Sequence, residues 1–211
     1  MKIIRTDREI ETPHVDASLR AAGHELVLLP DGVSEAALSE AVRDADLLLM
    51  CYTPVTARVI AAAERLKGIV KYGVGIDAID IPAARACGIH VVNVSEYAEE
   101  TVAEGAFALM IALAKKLVPL QLQMQHEGWA WPEARWLASD IAGKTVGIVG
   151  MGRIGRSMAR MAGAGFRARV LGYDPYVSAE EMQAAGIEKR ERLTDLLAES
   201  DFVTLHAVLT P

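Results

Sequence analysis

Three glycines and one acid carry the clearest chemistry in this 211-residue chain. Gly150, Gly152 and Gly155 stand in the spacing G-x-G-x-x-G, and Asp174 lies nineteen residues past the last of them. Gly150 permits a tight turn, Gly152 lets backbone approach a pyrophosphate, and Gly155 lets a helix pack closely on a strand. The N–H groups of a helix starting there, with its macrodipole, favour an anion. Asp174 would accept hydrogen bonds from both ribose hydroxyls of an adenosine. Its carboxylate repels a 2′-phosphate, and Pro175-Tyr176 offers no cation to replace it, so NAD(H) is favoured over NADP(H).

The spacing alone is a weak signal, because glycine-rich turns are common in α/β proteins. The elements around it supply the context. Thr145-Val146-Gly147-Ile148-Val149 is a short apolar, β-branched run and reads as a buried strand. Ile154, Met158 and Met161 recur at helical spacing, with Gly163 and Gly165 as stop signals. A second strand over 169–173 ends on Asp174. Beyond it the pattern predicts helices over 178–185 and 193–199, then a third strand over 201–205 that ends at His206. A histidine after a strand is more often structural than catalytic.

The first hundred residues alternate strand and helix. Strands are predicted over 2–6, 25–29, 46–50, 68–72 and 90–94, and helices over 15–22, 34–43, 57–65 and 81–86. Ser34 is a plausible helix cap. Five strands interleaved with helices predict a parallel sheet covered on both faces, flavodoxin-like in order. Its loop Lys71-Tyr72-Gly73-Val74-Gly75-Ile76-Asp77 can turn backbone N–H groups of Val74 and Gly75 towards a ligand, or be an ordinary βα turn. Tyr52, after the third strand, could line the same crevice or pack against the chain.

Thr101-Val102-Ala103-Glu104 has the pattern of a capping box and predicts a helix over 101–118. Two apolar stripes share it, one on Val102, Ala106, Leu109, Leu113 and Leu117, the other on Ala103, Phe107, Met110, Ala114 and Val118. So wide an apolar face suggests burial on more than one side, including against a partner subunit. Residues 121–142 show little periodicity but hold Trp129, Trp131, Trp136, Pro132 and His126, and read as an irregular arm at an interface.

Composition narrows the classes. Hydrophobic residues make up 52% of the chain and charged ones 24%, enough apolar content for a packed core. A net charge of −6 gives no electrostatic case for nucleic acid or an anionic membrane. Cys51 and Cys87 form no ligand cluster and read as small buried apolar groups, with no metal site. The most apolar stretch, 105–114, is too short to span a bilayer. Met1–Ile4 lacks the apolar core of a signal peptide, so a cytoplasmic setting is expected.

The ordered set of motifs resembles the D-isomer-specific 2-hydroxyacid dehydrogenases: YGVGID at 72–77, Asn93, TVAE at 101–104, VGIVGMGRIG at 146–155, YDP at 173–175 and LHAVLTP at 205–211. The resemblance covers the whole chain. It implies a substrate domain over 1–98 and an NAD-binding Rossmann domain over 99–211, of which three strands, the first half, are expected here. It implies a homodimer through the 101–118 helix and the Trp-rich arm. Val74 and Gly75 would offer N–H groups to the substrate carboxylate, and Arg153 and Ile154 would contact the pyrophosphate. Asp174, with Pro175 beside it, would take the ribose, and Thr101 and His206 would lie near the cofactor. Val208 departs from a frequent proline.

The family's proton-exchanging histidine, the glutamate that orients it and the carboxylate-clamping arginine fall beyond the third Rossmann strand, where this sequence has no residues. No catalytic residue is therefore assigned, and His206 matches only a cofactor-side position. A chain of this length is expected to be an incomplete and inactive form of the dehydrogenase, with the fingerprint strand left as a bare edge. The alternative is a non-catalytic NAD(H)-binding scaffold or sensor of the corepressor type.

Overall fold

The computed structural model describes residues 1–129, 131 and 133–207, which fall into two compact units, Met1–Glu96 and Tyr97–Pro211. Pro132 and Val208, both singled out above, lie outside the described residues, as does the end of the LHAVLTP motif.

The first unit is a five-stranded parallel sheet of β1 (Lys2–Arg5), β2 (Glu25–Leu28), β3 (Leu47–Met50), β4 (Gly68–Lys71) and β5 (His90–Asn93). Its spatial order is β2-β1-β3-β4-β5, the flavodoxin-like order. Helices α1 (Pro13–Ala21), α2 (Glu35–Val42), α3 (Ala57–Ala62) and α4 (Ile81–Ala86) alternate with the strands. Ile4, Leu48 and Ile69 from the central strands pack with Leu38, Val42 and Val59 from the helices, all fully buried. Helix starts are set locally: Ser34, Thr56 and Asp80 each accept a hydrogen bond from the backbone N–H three residues on. Cys51 is buried as expected. Cys87 is not, because it lies at the exposed C-terminal end of α4.

The second unit opens with α5 (Glu99–Ala114) and α6 (Leu117–Glu127) and continues through a 3₁₀ turn at Ala134–Trp136. Then come β6 (Thr145–Val149), α7 (Arg153–Arg160), a π-helical turn (Met161–Gly165), β7 (Arg169–Tyr173), α8 (Ala179–Ala184), β8 (Glu188–Lys189), α9 (Leu193–Glu199) and β9 (Phe202–Leu205). The sheet is parallel in the order β8-β7-β6-β9.

That order corrects the three-strand expectation. Residues 188–189 form a two-residue strand, too short and too charged to show in a hydropathy pattern. The strand ending at His206 is therefore the fourth of the unit, and β6 is paired on both sides, by β7 and β9. The fingerprint strand is not an edge. Among the described residues the edge strands are β8 and β9, and Leu205 on β9 is 73% exposed. The unit thus reaches across the point where a 3-2-1-4 order reverses, and ligands of open α/β sheets bind there.

The single helix expected over 101–118 is two helices broken at Lys116, whose φ of 54° is left-handed. Pro119 sits in the first turn of α6, where its missing N–H costs nothing. The first seven residues of the supposed arm, 121–127, are therefore helical. The capping box is also absent: α5 starts at Glu99 without a side-chain cap, and Thr101 lies within its first turn. The two stripes on α5 have different fates. Ala103, Phe107, Met110 and Ala114 are buried against α7 and β6, whereas Leu109 and Leu113 are exposed.

Candidate functional site

In the second unit the C-terminal ends of β6, β7 and β9 meet at a crevice of about 370 Å³ lined by Gly150, Gly152, Asp174, Pro175, Tyr176 and His206. The three fingerprint glycines occupy different constraints. Gly150 has φ +91°, and a side chain on it would run into the backbone of His206 and Ala207 at 2.7 Å. Gly155 is buried so closely that a Cβ would lie 2.1 Å from the Gly150 carbonyl oxygen. Gly152 has nothing within 4 Å of where a Cβ would stand. Two glycines close the turn, and the third leaves open space beside the first turn of α7.

That opening fits a pyrophosphate. The amides of the first turn of a helix have no acceptor within it, and the helix dipole adds positive potential. Arg153 and Ile154 are the first two residues of α7. The Arg153 guanidinium lies 3.4 Å from the Glu99 carboxylate, so its side chain is shared with α5, while Ile154 is half-buried against the core.

Asp174 does more than the sequence showed. One carboxylate oxygen accepts the Met151 N–H at 2.8 Å and the other the Tyr176 N–H at 2.9 Å. The acid therefore splints the glycine turn to the end of β7. A carboxylate has about four lone-pair sites, so capacity remains for ribose hydroxyls. His206 stands across the crevice, its N–H donating to the Val149 carbonyl at 2.7 Å and its Nε2 3.0 Å from the Thr204 hydroxyl. Burial pushes its pKa down, so the ring is neutral at pH 7.

Thr101 is exposed, one residue beyond a connection the sequence did not reveal. Glu100 accepts from Ser157 at 2.7 Å and from Arg160 at 2.6 Å, tying the start of α5 to α7. The Arg160 guanidinium, helped by the Ser157 hydroxyl, holds the Glu100 carboxyl below its usual range.

In the first unit the loop after β4 is also open. Val74 and Gly75 are exposed, and Tyr52 is 74% exposed at the end of β3. Asp7, which the sequence reading passed over, pins the flanks of Tyr52. Its φ is 53°, and its carboxylate accepts the Cys51 and Thr53 N–H groups, at 2.7 and 3.1 Å, and the Thr53 hydroxyl. Burial raises the Asp7 pKa, but the Thr6 hydroxyl and these donors outweigh it and leave it lowered. Lys71 is buried and donates to the Cys51 carbonyl from the other side. A Thr-Asp pair at the end of a first strand was the available signal, and its periodicity is unremarkable.

A parallel sheet whose reversal point holds a glycine turn, a helix start and a strand-end acid defines the dinucleotide-binding class of α/β proteins. The chain belongs to the D-isomer-specific 2-hydroxyacid dehydrogenase family, and residues 107–211 match the model of its NAD-binding domain. It is 38% identical over 181 residues to a D-3-phosphoglycerate dehydrogenase of Methanocaldococcus jannaschii, covering 85% of this chain and 34% of the relative. It is 41% identical over 180 residues to a glyoxylate reductase of Korarchaeum cryptofilum, covering 84% of this chain and 54% of the relative. A solved D-lactate dehydrogenase from Aquifex aeolicus, complexed with NAD and lactic acid, superposes with a TM-score of 0.84 at 28% identity. That match covers 99% of this chain and 61% of the other. The chain thus spans about a third to three-fifths of the length of these relatives.

Proposed function

We propose that this chain carries the cofactor seat and part of the substrate seat of an NAD-dependent oxidoreductase acting between a D-2-hydroxy acid and its 2-oxo acid. The observation that carries the reading is the crevice at the reversal point, with Gly152 open beside the start of α7 and Asp174 at its rim. NAD, when bound, supplies the acceptor or donor of a hydride. The first-turn amides of α7, with Arg153 and Ile154, bind the pyrophosphate, and Asp174 with Pro175 orients the ribose and repels a 2′-phosphate. Thr101 and His206 line the cofactor's remaining length. The N–H groups of Val74 and Gly75 hold the substrate carboxylate, and Tyr52 borders it.

This reading assigns none of the described histidines to proton exchange at a substrate hydroxyl, and gives His206 to the cofactor crevice. The 211-residue form is therefore proposed to bind NADH without turning over a 2-oxo acid. Titration of NADH and NADPH against this chain tests the seat, with NADH expected at least about tenfold tighter. Turnover of glyoxylate, pyruvate or a phosphorylated 2-oxo acid by this form would overturn its inactivity. NADH binding without turnover in a longer form would favour the scaffold reading instead.

The partner is proposed to be a second copy. Leu109 and Leu113 on α5, Leu122 on α6, and Trp129 and Trp131 beyond it are all at least half exposed. Large apolar side chains left exposed along α5 and α6 support an interface there. Sedimentation should show a dimer, and Leu113→Asp should shift it to monomer.

A further inference from the structure

Among the described residues, the hydrogen bonds to the loop Gly73-Val74-Gly75 come from one side. The Gly73 carbonyl accepts the Val94 backbone N–H at 3.1 Å, and the Val74 carbonyl accepts the Asn93 side-chain Nδ2–H at 2.7 Å. Both donors come from the end of β5, where Asn93 pairs in register with Lys71 of β4. Every peptide bond in the described chain is trans. In a planar trans peptide the N–H points opposite to the carbonyl of the same unit. Fixing the Gly73 carbonyl therefore aims the Val74 N–H away from β5, and fixing the Val74 carbonyl aims the Gly75 N–H the same way. Neither N–H meets an acceptor among the described residues. Successive backbone N–H groups turned to one side make a concavity suited to an anion.

We propose that Asn93 is a positioning residue: its side-chain amide, by holding the Val74 carbonyl, aims the Gly75 N–H at the carboxylate of the substrate. The role rests on the carboxylate reading of Val74 and Gly75 given above. The division of labour is specific, because the backbone of β5 sets the Val74 donor and the Asn93 side chain sets the Gly75 donor. Only a donor at position 93 performs this task. An aspartate of the same shape would face the Val74 carbonyl with its own oxygen and release it.

The test is an amide-resolved titration of the ¹⁵N-labelled 211-residue chain with oxamate, an unreactive mimic of a 2-oxo acid. In the unmutated chain the Val74 and Gly75 amides should shift together with one dissociation constant. In Asn93→Asp and Asn93→Ala the Gly75 response should fall away while the Val74 response persists, and oxamate should bind about tenfold more weakly. A purely structural role would weaken both amides alike, so equal loss at Val74 and Gly75 overturns the proposal. So does an unchanged Gly75 response in both variants, which leaves the carboxylate site itself intact. No response of either amide in the unmutated chain overturns the carboxylate reading and the role of Asn93 with it. A measurement without mutation guards against misfolded variants: a scalar coupling across the hydrogen bond between Asn93 Nδ2 and the Val74 carbonyl carbon should be present, and its absence overturns the proposal.

Discussion

Each unit places a glycine loop at the C-terminal end of a central strand, and the two loops are held by different physics. After β4, Gly73-Val74-Gly75 is suspended by two hydrogen bonds from the end of β5, and the atoms nearest a Cβ on Gly73 belong to the flexible Lys71 side chain, at 3.0 Å. After β6, the turn is locked by contact, because Gly155 lies against the Gly150 carbonyl and Gly150 against the backbone of His206 and Ala207. The first loop is tuned by polar groups and tolerates small changes of volume. The second tolerates no added methyl at Gly150 or Gly155, since backbone cannot move aside as a side chain can.

The sharpest way to break this contrast is Gly155→Ala. With a Cβ placed 2.1 Å from a backbone oxygen, either β6 or α7 must shift. The expected cost is about 3 kcal/mol, with NADH binding lost, as read by thermal melting and NADH titration. Gly73→Ala should cost about 0.5 kcal/mol by the same melt. Equal costs at the two sites would show that the loops are held alike.

Gly152→Ala separates closure from access. Nothing lies within 4 Å of the new methyl, so the melting temperature should hold, while the methyl would occupy the space proposed for the pyrophosphate. NADH affinity should fall about a hundredfold. Retained affinity would move the pyrophosphate away from the start of α7.

Asp174→Ala acts on the splint of the second loop and comes next in size. It leaves the N–H of buried Met151 without its acceptor, a loss of about 1–3 kcal/mol in stability. It also removes the repulsion of a 2′-phosphate, so the NADH-to-NADPH affinity ratio should move towards unity. A ratio unchanged in Asp174→Ala would assign cofactor choice to another residue.

The two loops also differ in how far they could be read in advance. The glycine turn was legible because its constraints are local: spacing, strand, helix and acid follow one another within thirty residues. The five-strand sheet was legible for the same reason, each strand being an apolar run bounded by turn residues. What escaped joins distant parts of the chain. Asp7 meets Cys51 and Thr53, and Glu100 meets Arg160, across 44 to 60 positions, and no periodicity marks such pairs. The strand at Glu188–Lys189 escaped because two polar residues carry no pattern, and missing it put β9 beside β7 instead of on the far side of β6. The break at Lys116 escaped because apolar spacing runs across it unbroken.

The outer strands of the two sheets carry the comparison to its smallest effect. β5 is held to β4 by four paired positions, but β8 is held to β7 by only two. Charge makes up the difference at β8. Arg169 on β7 pairs with Glu188 at 2.6 Å, and Arg190 reaches both Glu188 and Glu199. The Arg169 guanidinium pulls the Glu188 carboxyl down to about 2 from the ordinary 4.5. A carboxylate whose folded pKa is lowered adds stability that is complete above its unfolded pKa and is lost as pH falls towards the folded one. The loss at Glu188 therefore falls between about pH 4.5 and pH 2. These side chains are about half exposed, so solvent screens the pairs and the effect is small. Over that window Glu188→Gln should flatten the acid side of the melting curve by about 2 °C, and 0.5 M salt, at roughly a 4 Å screening length, should flatten the parent's likewise. Parallel curves for parent and variant would mean that β8 is held by its short ladder alone.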